Sequence, residues 1–184
     1  MSTPSESVVR AAVLVPIFQR GGEWFVVYVQ RAADVPVHQS QIAFPGGIHR
    51  PANETLEMTV LREAEEEIGL SPSAVEVLAG LPEVRTFTSN FLIAPFIGKI
   101  ADGYPFKPDP REVARVLVVR VDDLRAPGVF REMEQRLHSG ELAVVSTYAL
   151  GNDVIWGATE RITTELLSRL SKGEGSSGPT GFTT

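Results

Sequence analysis

The stretch FPGGIHRPANETLEMTVLREAEEEIGL, residues 44–70, decides how this chain folds. Val60, Ala64 and Ile68 recur every four residues as an apolar stripe, which predicts a helix from about Thr55 to Ile68 with that stripe on the core. Asn53 or Thr55 is available to cap its start, and Gly69 stands where a left-handed C-terminal residue is expected. Glu63, Glu66 and Glu67 then fall at i, i+3 and i+4. At about 100° per residue they span an arc of roughly 100°, so their carboxylates face one patch. Glu63 and Glu67 border the apolar stripe, while Glu65 projects to the far side near Met58 and reads as solvated charge.

Like charges so arranged repel, at roughly 2–3 kcal/mol per pair for ~6 Å and an effective dielectric near 20. A cation offsets that repulsion, and hard carboxylate oxygens suit Mg²⁺ or Mn²⁺. The competing reading is a solvated acidic helix face. Three neighbours argue for the cation: the apolar stripe, Arg62 within reach of Glu66 at i, i+4, and the double glycine Gly46-Gly47, where backbone can approach a ligand closely.

Together these residues resemble the signature box of the Nudix hydrolases: a glycine, a glutamate, then Arg-Glu-x-x-Glu-Glu-x-Gly. Seven residues separate Glu54 from Arg62, as in the family, and Gly69-Leu70 closes the pattern. Six residues separate Gly47 from Glu54, one more than usual, which leaves the role of Glu54 open. The resemblance implies an α/β (α+β) fold, an α/β/α sandwich around a mixed β-sheet. It implies hydrolysis of a nucleoside diphosphate linked to another group, with water attacking a pyrophosphate phosphorus and Mg²⁺ or Mn²⁺ as cofactor. On the matching positions, Glu63 and Glu67 are the expected metal ligands. Glu66 is a third ligand or the base, and Arg62 orients the carboxylates. The carbonyl of Gly47, or of Gly46 given the register, is a further expected ligand, and the glycine turn admits the phosphates. Glu112, after the loop DGYPFKPDP, is a candidate catalytic carboxylate against the alternative of a solvated strand-edge glutamate, and Glu83 is a weaker one.

The preceding segment VYVQRAADVPVHQSQIAFPGG, residues 27–47, resembles the coenzyme A pyrophosphatase branch of that family. Arg31-Ala32, His38, Gln41, Ala43 and Phe44 to Gly47 fit. Pro36 stands where the branch has arginine, and Ser40 where it has glycine. IWGATERI, residues 155–162, is similar to the element that opens the last helix of that branch, although Trp156 taken alone reads as core. Such enzymes split coenzyme A into 3′,5′-ADP and 4′-phosphopantetheine. A substrate with an additional phosphate calls for positive charge, and Arg31, Arg50 and Arg85 are the substrate-binding candidates. His38 is a candidate phosphate donor, with His49 similar. ADP-ribose, nucleotide sugars and dinucleoside polyphosphates are alternative substrates. A Nudix-fold binding module without catalysis is a further alternative, opposed by the presence of all three glutamates.

At 184 residues the chain has room for one domain with a sizeable core, expected over residues 8–171 between a polar N-terminus (1–7) and a Gly/Ser-rich tail (172–184). A net charge of −6 gives no broad basic surface for nucleic acid. The absence of cysteine excludes disulfides, thiolate metal sites and cysteine nucleophiles. No apolar run approaches the roughly 20 residues that span a bilayer. With no signal-like start, a cytoplasmic location is expected, and a homodimer is compatible with the sequence. Strands are expected at about 8–18 (broken by Pro16), 23–31, 75–81, 91–100, 113–121 and 141–150. Arg20-Gly21-Gly22 suits a hairpin turn. Besides the box helix, a helical turn is expected near 121–124 and helices around 128–137 and 158–170.

Overall fold

A computed structural model describes residues 8–33, 40–86, 90–137 and 139–171. The two expected terminal segments, 1–7 and 172–184, lie outside them, as do His38 and His138. The chain runs β1 (Val9–Arg20), β2 (Glu23–Arg31), β3 (Ile42–Ala43), β4 (Gly46–Ile48) and α1 (Leu56–Ile68). After a short 3₁₀ turn (Pro72–Ala74) come β5 (Glu76–Gly80), β6 (Val84–Arg85), β7 (Phe91–Lys99), β8 (Val113–Arg120) and α2 (Val121–Arg125). It ends with β9 (Phe130–Arg136), β10 (Leu142–Leu150), β11 (Asp153–Trp156) and α3 (Gly157–Ser171).

Eight strands form a mixed sheet in the order β3-β2-β1-β7-β5, with β4 on β1, β6 on β7 and β8 on β2. β1 and β7 pair in parallel from Val9↔Phe91 to Ile17↔Lys99. Such a pair is buried on both faces, which is why β1 reads as a near-continuous apolar run. Ala12, Leu14 and Phe18 meet the stripe Val60, Ala64 and Ile68 of α1. Val15 and Ile17 on the opposite face pack with Leu124 of α2 and Ile162 and Leu166 of α3. Helices therefore cover both faces of the sheet, the layered α/β/α arrangement that the resemblance implies. A separate antiparallel sheet, β11-β10-β9, adjoins it.

Two expectations are corrected. β1 continues through Pro16 instead of breaking there. β4 pairs with Ala11 to Val13 and β2 with Ile17 onward, so Pro16 lies where one edge of β1 changes partners and a missing N–H costs no ladder bond. The helix expected around 128–137 is instead strand β9, paired to β10 from Phe130↔Tyr148 to Arg136↔Leu142. FREMEQR is rich in helix formers, but Met133 and Gln135 are half-buried between exposed neighbours, a two-residue period that pairing with β10 enforces.

Candidate active site

Thr55 caps α1, its hydroxyl accepting from the Met58 N–H at 3.2 Å, and Gly69 ends it with φ 65°. The helix therefore starts and stops where its residues demand, and this fixes the carboxylates along it. β4 brings Gly46 and Gly47 across the face of α1. A Cβ on Gly47 would lie 2.5 Å from Glu63 Cδ, and one on Gly46 would lie 2.3 Å from the Ala12 carbonyl oxygen. At Gly46 only glycine lets this strand fit against β1, while at Gly47 the obstacle is the movable end of the Glu63 side chain. The Gly46 N–H donates to Glu67 Oε2 at 3.1 Å.

The three glutamates are not equivalent. The side chain of Glu67 is 2% exposed, that of Glu63 12%, and that of Glu66 53%. Burial pushes Glu67 up to about 8; Arg31 and the Gly46 N–H oppose the shift, and the charges of Glu63 and Glu112 add to it. Burial also raises Glu63, against the pull of Arg62 and Arg50. Glu65 is exposed on the opposite side, as expected.

Arg62 organises this patch. Its Nε and Nη2 donate to the two carboxylate oxygens of Glu54 at 3.0 Å each, and its Nη1 donates to Glu63 at 2.7 Å and Glu66 at 3.1 Å. Glu54 is held down to about 2, first by Arg62, with the Arg50 N–H and Thr59 hydroxyl assisting. Despite the extra residue before it, Glu54 thus reaches Arg62. Thr59, fully buried, donates to Glu54 at 3.0 Å and lies 2.9 Å from His49 Nδ1. The hydroxyl proton already faces two acceptors, Glu54 and the Thr55 carbonyl, so His49 supplies the N–H. Thr59 was not singled out in the sequence; its only signal is a polar residue beside the apolar stripe.

The remaining candidates divide. Arg31 brings Nη1 to 3.6 Å from Glu67 Oε1, and among the described residues its buried Nε has no hydrogen-bond partner. Arg50 and Glu112 act on Glu63 and Glu67 respectively through their charge. Arg85 is not gathered in: its guanidinium donates to Asn90 at 3.2 Å, and its carbonyl accepts from Arg161. Glu83 pairs with Arg10. His38 and Pro36 lie outside the described residues.

Among the described residues no three acidic or imidazole side chains stand together as a preformed metal cage. Arg62 Nη1 links Glu63 to Glu66, which stays on the exposed side of the patch. The donor set nevertheless fits a hard divalent cation. Glu67 is a buried and Glu63 a half-buried carboxylate whose ionisation burial disfavours, and a cation beside them would remove that penalty. The Arg31 guanidinium adds positive charge beside Glu67.

Residues 8–138 match the Nudix domain family. Proteins named uncharacterized Nudix hydrolase NudL are similar along most of their length. That of Pectobacterium atrosepticum is 32% identical over 163 residues, covering 88% of this chain and 83% of the relative. That of Cronobacter sakazakii is 32% identical over 173 residues, covering 94% and 88%. Among solved structures, a MutT/nudix family protein from Enterococcus faecalis superposes with a TM-score of 0.63 at 18% identity, over 94% of this chain and 66% of that one. A C. elegans Ap4A hydrolase binary complex does so at 0.52 and 18%, over 63% and 82%. Nudix hydrolases generally use divalent metal ions. The sequence box, the layered fold and these similarities lead to one statement: the chain belongs to the Nudix family, as a hydrolase of nucleoside diphosphate derivatives.

Proposed function

We propose that the chain hydrolyses the pyrophosphate bond of coenzyme A or its acyl derivatives, giving 3′,5′-ADP and the (acyl-)4′-phosphopantetheine. The observation that carries the chemistry is the pair Glu63 and Glu67, buried against the Gly46-Gly47 turn with their ionisation disfavoured. The substrate reading is supported by the motif around Arg31 and Phe44 to Gly47 and by the IWGATERI element.

Glu63 and Glu67 would hold Mg²⁺ or Mn²⁺, with Glu66 or the Gly47 carbonyl as further ligands. Such a cation neutralises pyrophosphate charge and lowers the pKa of an attacking water. The chain's own groups do the rest. Arg62, fixed by Glu54, aims Glu63. The partly exposed Arg31 guanidinium, beside Glu67, is a donor for a phosphate oxygen, and Arg50 adds positive charge beside Glu63. Glu66, exposed to solvent, or Glu112, beside Glu67, accepts the water proton.

The alternative, ADP-ribose, a nucleotide sugar or a dinucleoside polyphosphate, is favoured by Pro36 and Ser40, which depart from the coenzyme A branch. The test is a panel of these compounds with Mg²⁺ or Mn²⁺. Coenzyme A is expected to turn over fastest, and coenzyme A no faster than ADP-ribose would defeat the reading.

A further inference from the structure

A polar crevice of about 270 Å³ lies between the β2–β3 edge of the large sheet and the three-stranded sheet, lined by Gln30, Ile42, Gln135, Arg136, Asn152 and Trp156 among others. None of these residues takes part in the chemistry at α1. Gln30 is committed, accepting from Arg115 at 2.7 Å and donating to the Ser40 carbonyl at 3.2 Å. Gln135, Asn152 and Trp156 differ. Among the described residues their side chains make no hydrogen bond. Trp156 is also half-buried and belongs to neither core cluster, so it is not the core residue its type suggests.

We propose that this crevice receives the nucleobase of the substrate, a purine stacked on the Trp156 indole with its edge bonded by the amide of Gln135 or Asn152. An indole face stacks on any base. A carboxamide presents a donor and an acceptor side by side, matching the adjacent donor and acceptor on adenine. The volume is below the roughly 300–1,000 Å³ of a whole-ligand site, which suits one end of a substrate. The place is right for that end. Arg31 reaches Glu67, and its neighbour Gln30, facing the other side of β2, lines the crevice. Ile42 lines it too, and four residues later Gly46 binds Glu67. The crevice and the carboxylates flank a sheet edge made by β3, only two residues long. In this proposal the substrate's pyrophosphate bridges that short strand.

The proposal rests on the chain acting on nucleoside diphosphate derivatives, and its test needs no turnover. In Trp24→Phe, Trp156 is the remaining tryptophan of 2. Without metal, AMP is expected to change its emission saturably, and ribose 5-phosphate is not. Asn152→Ala combined with Gln135→Ala raises the half-saturating AMP concentration about tenfold or more. In the enzyme, Trp156→Ala raises KM with kcat nearly unchanged, and Trp156→Phe retains most of the affinity. No response to AMP, an equal response to ribose 5-phosphate, or a fall in kcat with KM unchanged would overturn the proposal. AMP binding by a protein that leaves coenzyme A intact supports the crevice and removes the coenzyme A reading instead.

Discussion

The carboxylate of Glu63 lies against the α-carbon of Gly47, where an added Cβ would stand 2.5 Å from its Cδ. The two glycines of this turn therefore predict different failures. In Gly47→Ala the obstacle is the far end of a flexible side chain, which swings aside. The fold survives with nearly unchanged Tm, while kcat falls on the order of 100-fold because a ligand is misplaced. In Gly46→Ala the obstacle is backbone, the Ala12 carbonyl at 2.3 Å and Val13 Cα at 2.7 Å. That variant loses about 1–3 kcal/mol and several degrees of Tm. Thermal melts alongside initial rates separate the two.

Arg62 makes four side-chain hydrogen bonds to three carboxylates, a fork that lysine cannot reproduce. Arg62→Lys keeps the charge and is expected to lose roughly 10–100-fold in kcat or metal affinity. Full activity in Arg62→Lys would mean that charge alone, not geometry, sets the carboxylates.

Glu54 and Glu67 have opposite pH signatures. Glu54 is depressed to about 2, so its contribution is present above the unfolded value near 4.5 and is lost as pH falls toward 2. The stability gap between wild type and Glu54→Gln should therefore close on acidification, as read by denaturant titration at several pH values. Glu67 is raised to about 8, so its stability contribution is complete below about 4.5 and is lost as pH rises through about 8.

A divalent cation reverses that loss, because it requires the carboxylate form. Its stabilising effect on Tm should grow from pH 6 to 8, with proton release approaching one per ion near pH 7. Titration calorimetry in two buffers of different ionisation enthalpy measures that release. Glu112→Gln removes one repulsive charge from Glu67, so its pH dependence should move to lower pH.

Much of this was legible in the sequence because it is local. The cap at Thr55, the stripe Val60-Ala64-Ile68 and the stop at Gly69 lie within one helix and follow from spacing. What was not legible depends on chain returning from elsewhere. β9 carries helix-forming residues and becomes a strand only because β10 pairs with it. Spacing placed the three glutamates on one patch but not their unequal exposure, which arises because β4 packs over Glu63 and Glu67 and leaves Glu66 open. Glu54 looked out of register when residues were counted from Gly47, but its partner is Arg62, and that distance along the chain is the usual one. Arg85 and Glu83 looked near the box and instead pair with Asn90 and Arg10.

A cation held by Glu63 and Glu67 is proposed to drive the hydrolysis. The most direct measurement follows product formation from coenzyme A by wild type and Glu67→Gln, with Mg²⁺ or Mn²⁺ and with a chelator. Wild type should release 3′,5′-ADP and 4′-phosphopantetheine only when the cation is present, and Glu67→Gln should release neither at a comparable rate while remaining folded. Unchanged turnover in Glu67→Gln, or turnover that survives the chelator, would contradict it.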